Sequence, residues 1–461
     1  PGFKTPLGLG TETLPPKPTG VLKSTLERIA DTFTAWPTAF KPHPGVKRIM
    51  EARTAAVRNE SAAEIDMSTA EALAFGSLIL QGIHVRLGGQ DVERGTFSQR
   101  HAVIHNQDPQ DERTFLPLQT LKNGPVINGV PVHSDVIADL IVCNSHLSEF
   151  GALGFELGYS LVSPHALVLW EAQFGDFANN AQCIIDQFLA SGERKWLQRT
   201  GLVLLLPHGY DGAGPEHSNA RLERFLTLCD DDPLLVLPSQ LPRQIQACNL
   251  QVCYPTTPAN YFHLLRRQIE RDFRKPLVVL ESKSLMRHPA ARSNIADFLP
   301  GTDFKRYIPA KIDSPQAIDT LVLCSGQVYY ALEKARQANE LKNVAIARVE
   351  QLSPFPYDLF MKDLESLNGK GRQLKRIVWA QEEPLNLGAW TYLQPRIFTA
   401  LNSLSPSFAA IPLQFAGRRP TAAVATGHKH QHLVEEYELL SQALFGKILA
   451  PKRIEVGTPI F

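Results

Sequence analysis

The sequence predicts an α/β protein made of two doubly wound domains, each with a mostly parallel sheet. Short apolar runs of strand length alternate with stretches of helical length along most of the chain. These runs are unbroken, as expected of parallel strands that helices cover on both faces. At 461 residues the chain is also too long for a single hydrophobic core.

Residues 1–65 are predicted to form a linker and a helical extension. The opening stretch is rich in Pro and Gly, and residues 21–59 are helical in part. The first core-packed helix is predicted to begin at Ser68, which has capping-box spacing to Glu71, and to stop at Gly82. The chain begins with Pro1 and shows no signal-peptide pattern, so we expect it to start inside a longer or processed polypeptide.

Two series of strands and helices follow. Residues 66–290 predict the first domain and residues 291–461 a smaller second one. The predicted strands of the first domain lie in IHVRLGG, DVIADLIVCNS, HALVLWEAQ, GLVLLLP, LQVCYP and PLVVLES. Those of the second lie in DTLVLCSG, NVAIARVEQL, RIVWAQEE and PLQFAGR.

Composition excludes several classes of partner. The chain has 47 Lys and Arg residues against 46 Asp and Glu, so no overall basic field points to nucleic acid or to an anionic membrane. No apolar run approaches the roughly 20 residues that a membrane-spanning helix needs. The six cysteines show no spacing typical of zinc, and we expect reduced thiols.

The candidate site lies at the strand ends, because ligands of open α/β sheets bind outside the carboxyl ends of the strands. Glu149 follows one strand and opens a helix in which Gly151, Gly154 and Gly158 share about one face. A carboxylate at a helix start is usually only a cap that satisfies the helix dipole, so Glu149 alone would not indicate a function.

Neighbouring strand ends strengthen the case. Phe174 and Phe177 follow a strand three residues apart and could place two rings against a flat heteroaromatic ligand, although any isolated pair could equally be core. The loop LPHGYDGAGPEHS carries His208 and His217 directly after a very apolar strand, and ten residues is long for a mere connection. His101, beside Arg100, forms a further polar cluster whose orientation the sequence leaves open.

These motifs resemble a known family. An acidic residue after a strand, an F-x-x-F pair and a G-P-x-H loop are similar to the pyrimidine-binding domain of transketolase-like thiamine-diphosphate enzymes. Longer segments resemble the carboxy-terminal half of the decarboxylating component of 2-oxoglutarate dehydrogenase complexes: DVERGTF, RHAVIHNQ, LWEAQFGDFANNAQCIIDQF, LLPHGYDGAGPEHSNARLERFL, RKPLVVLESKSLMRHP, VEQLSPFP and QEEPLNLGAW. The insertion LCDDDPLLVLPSQLPRQIQACN resembles the mitochondrial versions more than the bacterial ones. The resemblance runs from about Asp66 to the end of the chain.

The resemblance implies roles for named residues. Glu149 would hydrogen-bond the aminopyrimidine of thiamine diphosphate, and Phe174, Phe177, Leu147 and Gln173 would line the cofactor's pocket. The catalytic set that the resemblance implies is Glu149, His208, His217 and His101. The division of roles between the two loop histidines, His208 and His217, stays open. Arg100 with His101 could bind the distal carboxylate of the oxoacid.

The resemblance also implies partners. Members of the superfamily hold the diphosphate through Mg²⁺ with a GDG motif, which is absent from these 461 residues. We therefore expect the diphosphate-binding domain on another chain or on an amino-terminal part outside this sequence, with a homodimer or heterotetramer completing the site. Further implied partners are the lipoyl acyltransferase and the dihydrolipoyl dehydrogenase of the complex, in the mitochondrial matrix.

Four alternatives remain at this point. A transketolase would share the Glu149 and His217 motifs, but the long family-specific segments argue against it. A 2-oxoadipate dehydrogenase component and a non-oxidative 2-oxoglutarate decarboxylase are much harder to separate from the main interpretation. A non-catalytic half retained for assembly of the complex would not require Glu149, His208 and His217 together.

Overall fold

The computed structural model describes residues 18–123, 126–127, 130–131, 138–236, 248–312, 318–368 and 374–449. Strands, in chain order, are β1 (Val85–Gly89), β2 (Ile104–His105), β3 (Thr114–Phe115), β4 (Val126–Ile127), β5 (Val130–Pro131), β6 (Leu140–Asn144), β7 (Leu167–Glu171), β8 (Val203–His208), β9 (Gln251–Cys253), β10 (Leu277–Ser282), β11 (Tyr307–Ile308), β12 (Thr320–Cys324), β13 (Val344–Val349), β14 (Gln351–Ser353), β15 (Arg376–Pro384) and β16 (Leu413–Arg418).

The α-helices are α1 (Lys23–Thr32), α2 (Pro44–Arg58), α3 (Met67–Leu80), α4 (Glu149–Val162), α5 (Gln182–Ile184), α6 (Gly192–Trp196), α7 (Leu222–Thr227), α8 (Pro258–Glu270), α9 (Val328–Ala338), α10 (Tyr357–Asn368), α11 (Trp390–Leu404), α12 (Pro406–Ala409) and α13 (Lys429–Phe445). Short 3₁₀ helices lie at Pro117–Asn123, Gly175–Ala181, Pro215–His217 and Ile295–Phe298, and a π-helical turn lies at Ile185–Leu189.

Two main sheets confirm the predicted α/β class. The first has seven strands in the order β14-β9-β10-β8-β7-β1-β6, and the second has five in the order β11-β13-β12-β15-β16. All neighbouring pairs in both sheets are parallel except β14 with β9 and β11 with β13. Every residue of β8 is buried, which explains its unbroken apolar run, since helices cover both faces of a parallel sheet.

The third helix differs in one detail from the sequence prediction. α3 begins at Met67, and the Asp66 carboxylate caps it by accepting the backbone N–H of Thr69 at 2.8 Å. The predicted capping box at Ser68 and Glu71 is therefore wrong, because both residues lie inside the helix and are buried. The helix ends at Leu80, and Gly82, two residues later, lies in the left-handed region at φ +80°, in agreement with the predicted stop.

One strand crosses between the two parts of the chain. β14 follows β13 of the second sheet by one residue, yet it pairs antiparallel with β9 at the edge of the first sheet, where Gln351 lies opposite Cys253. The buried carboxylate of Glu350, between the two strands, accepts hydrogen bonds from the Thr256 backbone and the Asn260 side chain, both at 2.8 Å. The two sheets are therefore joined by a continuous, buried piece of backbone.

Among the described residues, no helix is both long enough and apolar enough to cross a bilayer.

A candidate cofactor site at the carboxyl edge of the first sheet

Four adjacent parallel strands bring the predicted site residues to one edge. β6, β1, β7 and β8 are neighbours in the first sheet, and each is followed by residues of the candidate site. Their ends lead, in that order, to Glu149, to Gln90, to the segment of Phe174, and to His208. The sequence prediction that these strand ends converge rested on a parallel sheet, and the strand pairing has that form.

Glu149 is held at the start of α4 by two amide donors. Ser148 caps the helix, its hydroxyl accepting the Gly151 backbone N–H at 3.1 Å. The carboxylate is 8% exposed; Oε1 accepts from Gln90 Nε2 at 3.1 Å and Oε2 from Asn180 Nδ2 at 3.3 Å. A carboxylate can accept about four hydrogen bonds, so Glu149 is oriented but keeps capacity for a ligand donor.

Aromatic rings surround the position of His217. The imidazole lies 4.2 Å from the ring centroid of Phe174 and 5.9 Å from that of Phe177. Phe174 also meets Phe177 edge-on at 5.8 Å and Phe97 at 5.5 Å. Asn180, which binds Glu149, lies in the same 3₁₀ helix as Phe177. One short segment therefore carries both a ring of the aromatic cluster and an amide that hydrogen-bonds Glu149.

His208 lies below this surface and is 1% exposed. Its Nδ1 accepts the backbone N–H of Ala220 at 3.0 Å, so Nδ1 carries no proton. Nε2 lies 2.8 Å from the carboxylate Oε1 of Glu383 and is therefore the donor in that pair. The two bonds fix both the tautomer and the ring orientation of His208, and they tie the first domain to the end of β15.

Arg100 is fully engaged in a buried carboxylate cluster formed by Glu71, Glu171 and Glu281. Its guanidinium donates to Glu71 Oε1 at 2.6 Å and to Glu171 Oε1 at 3.1 Å, with a second bond to each carboxylate. The Tyr261 hydroxyl joins Glu71 and Glu281 at 2.9 and 2.5 Å. Burial, with the charges of Glu171 and Glu71, raises the pKa of Glu281 well above its ordinary value. Arg100 is thus a structural cation in this arrangement.

His101 makes no described ring contact with the aromatic cluster. It lines a small cavity of about 30 Å³ together with Phe33 and Arg53 of the amino-terminal helices, and its Nε2 is buried without a hydrogen-bond partner among the described residues. Burial, followed by the nearby Arg53 charge, lowers its pKa. No described contact joins His101 to Glu149 or to His217. Of the other predicted residues, Leu147 is 78% exposed and Gln173 is half-buried, both beside the site.

Several residues at this edge were not found from the sequence. Asn180 binds Glu149, Glu383 binds His208, and Lys283 donates to the backbone carbonyl of His217. Gln327 donates to Asp211 of the histidine loop at 3.1 Å. The same strand-end rule could have indicated three of them, since Lys283, Gln327 and Glu383 lie at or just beyond the ends of β10, β12 and β15.

Comparison with known families gives the class. Residues 63–289 match the family model described as transketolase, pyrimidine binding domain. Residues 292–444 match the model described as 2-oxoglutarate dehydrogenase C-terminal. The chain therefore carries the pyrimidine-binding domain of the transketolase-like, thiamine-diphosphate-dependent class, and this domain implies dependence on thiamine diphosphate. Within that class, the chain belongs to the 2-oxoglutarate dehydrogenase family.

Individual relatives agree with this membership. The chain is 52% identical over 450 residues to the mitochondrial 2-oxoglutarate dehydrogenase of Schizosaccharomyces pombe, covering 96% of this chain and 42% of that protein. It is 51% identical to the Saccharomyces cerevisiae protein of the same name, over 94% of this chain and 41% of that protein, and 44% identical to the Dictyostelium discoideum protein, over 97% and 42%. All three are named as mitochondrial, which confirms the predicted location. The chain spans about two fifths of the length of these relatives.

Proposed function

We propose that this chain supplies the pyrimidine-binding half of the active site of a 2-oxoglutarate dehydrogenase, which decarboxylates 2-oxoglutarate oxidatively and passes the succinyl group to a lipoyl group of the partner acyltransferase. The observation that carries the proposal is the joint placement of Glu149 and the rings of Phe174, Phe177 and His217 on adjacent strand ends.

The residues of this edge suit a flat, basic heteroaromatic ring. Glu149 would accept the ring-nitrogen proton of the aminopyrimidine, and Gln90 with Asn180 hold its two oxygens in place. The half-buried faces of Phe174 and Phe177 would pack against the ring and exclude water. Bound thiamine diphosphate would supply the electron sink that decarboxylation of a 2-oxoacid needs.

His217 is the proposed proton donor and acceptor at the oxoacid. Its imidazole is 38% exposed and in contact with Phe174, and imidazoles are the commonest general acids and bases in enzyme sites. His208 is buried and bonded at both nitrogens, so it would act by orienting the loop that carries His217. The sequence left the division of roles open; this geometry favours His217 for contact with substrate.

Mg²⁺ and the diphosphate would be held elsewhere. Within the described residues, one cluster of three side chains could ligate a metal ion, and it is formed by Glu71, Glu171 and Glu281. Arg100 already donates hydrogen bonds to two of these carboxylates, Glu71 and Glu171. We therefore propose that a diphosphate-binding domain, on another chain or on an amino-terminal part outside this sequence, provides the oxygen ligands that Mg²⁺ requires.

The exposed face of α4 is the proposed contact with that second domain. Phe150 and Phe155 are 49% and 59% exposed, and Leu147 and Val162 nearby are more so. Gly158, on the glycine face of the same helix, has open space where a side chain would stand. Apolar exposure beside glycines suits close packing of a partner helix. A homodimer or heterotetramer, with the lipoyl acyltransferase and dihydrolipoyl dehydrogenase as further partners, completes the proposal.

The test uses the full-length protein with thiamine diphosphate and Mg²⁺. Release of carbon dioxide is followed from 2-oxoglutarate and from 2-oxoadipate, with and without lipoylated acyltransferase. Cleavage of a ketose phosphate donor in the presence of an aldose phosphate acceptor is followed separately, because a transketolase releases no carbon dioxide. Preferred turnover of 2-oxoglutarate that reduces the lipoyl group is the expected result. Preference for 2-oxoadipate would favour the 2-oxoadipate dehydrogenase alternative. Carbon dioxide release that is the same with and without the lipoylated acyltransferase would favour the non-oxidative decarboxylase. Turnover of the sugar phosphate alone would favour a transketolase.

The site assignment needs its own control. Glu149→Gln turns one carboxylate oxygen into an amide donor that faces the amide donor of Gln90 or Asn180. We expect a fold-stability loss of about 1 kcal/mol from this mismatch, and a loss of activity of about 10²-fold or more because the ring-nitrogen contact is lost. Glu60→Gln, the same change at an exposed carboxylate that pairs with Lys23 and contacts no site residue, is the matched control. Near-normal activity in Glu149→Gln would remove Glu149 from the site.

A further inference from the structure

The loop that carries His217 is poorly restrained by its own sequence. Between His208 and His217 it contains Gly209 at φ +140° and Gly212 at φ +76°, as well as Gly214. Glycines of this kind leave the backbone many alternative conformations. The loop must therefore be held by contacts from outside if His217 is to keep one position beside Phe174.

Both ends of the loop are fastened within the first domain. The Gly209 N–H donates to the Ser218 carbonyl at 3.1 Å, which closes the loop at its base. Asp176, between the two phenylalanines, accepts the backbone N–H groups of Ser218 and Asn219 at 3.2 and 3.0 Å. These contacts fix where the loop starts and stops, but they do not touch its middle.

Lys283 contacts both the middle of the loop, at Asp211, and its end, at His217. This side chain follows β10, is 9% exposed, and donates from Nζ to the backbone carbonyl of His217. The same Nζ lies 3.4 Å from Oδ2 of Asp211. One buried ammonium therefore bridges two points of the loop that are six residues apart, and one of them is the backbone of His217 itself.

Gln327 extends this bridge to the second domain. Its amide nitrogen donates to Oδ1 of Asp211 at 3.1 Å and to Glu382 at 3.0 Å. Its amide oxygen accepts from the hydroxyls of Ser282 and Ser284, the residues on either side of Lys283. The geometry points to a positioning role: we infer that Lys283 sets the position of His217, and that the second domain acts on it through Gln327 and Asp211.

This inference rests on the proposed function only where it takes His217 to be catalytic. That Lys283 and Gln327 hold the histidine loop in place does not depend on the proposed function. Lys283 and Gln327 touch the loop backbone and Asp211, and neither is in described contact with Glu149 or the phenylalanine rings. They are therefore positioning residues. If they act only through His217, their removal should have no further effect in a protein that already lacks the imidazole.

The activity test is a double-mutant cycle in the full-length protein with thiamine diphosphate and Mg²⁺. Lys283→Met should lower kcat for 2-oxoglutarate about 10- to 100-fold, since small displacements of a catalytic group are costly, with KM changed less than about threefold. Lys283→Arg, which keeps the charge and the donors, should restore most of kcat. In a His217→Ala background, Lys283→Met should change kcat less than about threefold. An equal loss in both backgrounds would overturn the inference, because Lys283 would then act independently of His217.

A second measurement does not depend on activity. Hydrogen exchange of the full-length protein should show loop peptides within residues 209–217 exchanging at least about tenfold faster in Lys283→Met. Gln327→Met should have the same effect to a smaller degree. Lys375→Met, which removes an exposed lysine paired with Asp319, is the matched control and should leave the loop unchanged.

The two proposals fail in different ways. If wild-type protein does not turn over 2-oxoglutarate, the proposed function is wrong, while loop exchange still decides the positioning inference. If turnover is normal but loop exchange is unchanged in Lys283→Met, the inference is wrong and the proposed function stands. If Lys283→Met loosens the loop and Gln327→Met does not, the link to the second domain is refuted.

Discussion

Replacement of Arg100 by methionine tests the charge balance beneath the site. Arg100 is 5% exposed, and it makes paired hydrogen bonds to Glu71 on α3 and to Glu171 at the end of β7. Methionine fills a similar space without a charge. Arg100→Met would therefore leave Glu71 and Glu171 buried beside each other, and beside Glu281, with no cation between them.

The expected cost can be worked out in two ways. Breaking one partner of a buried ion pair costs about 3–5 kcal/mol. Alternatively, the variant can neutralise one carboxyl by binding a proton, and at pH 7 this costs about 3.4 kcal/mol for a group with an ordinary pKa near 4.5. Both routes predict that Arg100→Met lowers the free energy of unfolding by about 3–5 kcal/mol at pH 7.

The pH dependence has a definite sign. Burial already raises the pKa of Glu171 even though Arg100 opposes the shift, so loss of Arg100 must raise it further. The folded variant then holds a proton that the unfolded chain has released. Its stability relative to wild type should rise as pH falls from 8 to 6, by at most about 1.4 kcal/mol for each pH unit.

Urea unfolding at pH 8, 7 and 6 measures this, with tryptophan fluorescence as the signal because buried Trp170 precedes Glu171 on β7. Arg94→Met is the matched control; its guanidinium is 53% exposed and pairs with Asp91, so its loss should be below about 1 kcal/mol. A loss under about 1 kcal/mol for Arg100→Met at pH 8, or a loss that grows on acidification, would refute the reasoning.

Three further predictions concern the two domains and the site. Burial raises the pKa of Glu382 to about 8, although the hydrogen bond donated by Gln327 opposes the shift, so the folded state keeps a proton that the unfolded state loses above about pH 4.5. Wild-type stability should therefore fall as pH rises to about 8. Urea titrations should show that Glu382→Gln gains up to about 2.7 kcal/mol of unfolding free energy relative to wild type between pH 6 and 8, and little more above. Phe174→Ala should weaken thiamine diphosphate binding about tenfold by calorimetry, with Phe174→Leu in between; equal affinity for all three would contradict the ring contact. Gly326→Ala should lower the melting temperature well beyond Gly301→Ala, because both have positive φ but only the first would bring a Cβ within 2.1 Å of Tyr254.

The sequence alone determined the class of the fold and the position of the candidate site along the chain. Unbroken apolar runs mark parallel strands, and the residues after those strands include Glu149, Phe174 and His217. The segments that resemble the 2-oxoglutarate dehydrogenase family could also be identified from the sequence, because each is a contiguous run of residues. These signals are local, because the period of a strand or helix and the residue that follows it can be read within about twenty positions.

Only the tertiary structure decided which side chains meet. Arg100 lies 71 residues from Glu171, and His208 lies 175 residues from Glu383, yet both pairs are in direct contact. β14 joins the first sheet although its neighbours in sequence belong to the second. Such contacts depend on strand order and on the packing of one sheet against the other, which no local period encodes. Glu149 could therefore be proposed from the sequence. The strand-end rule could also have indicated Lys283 and Gln327, but their shared contact with the histidine loop is visible only in the tertiary structure.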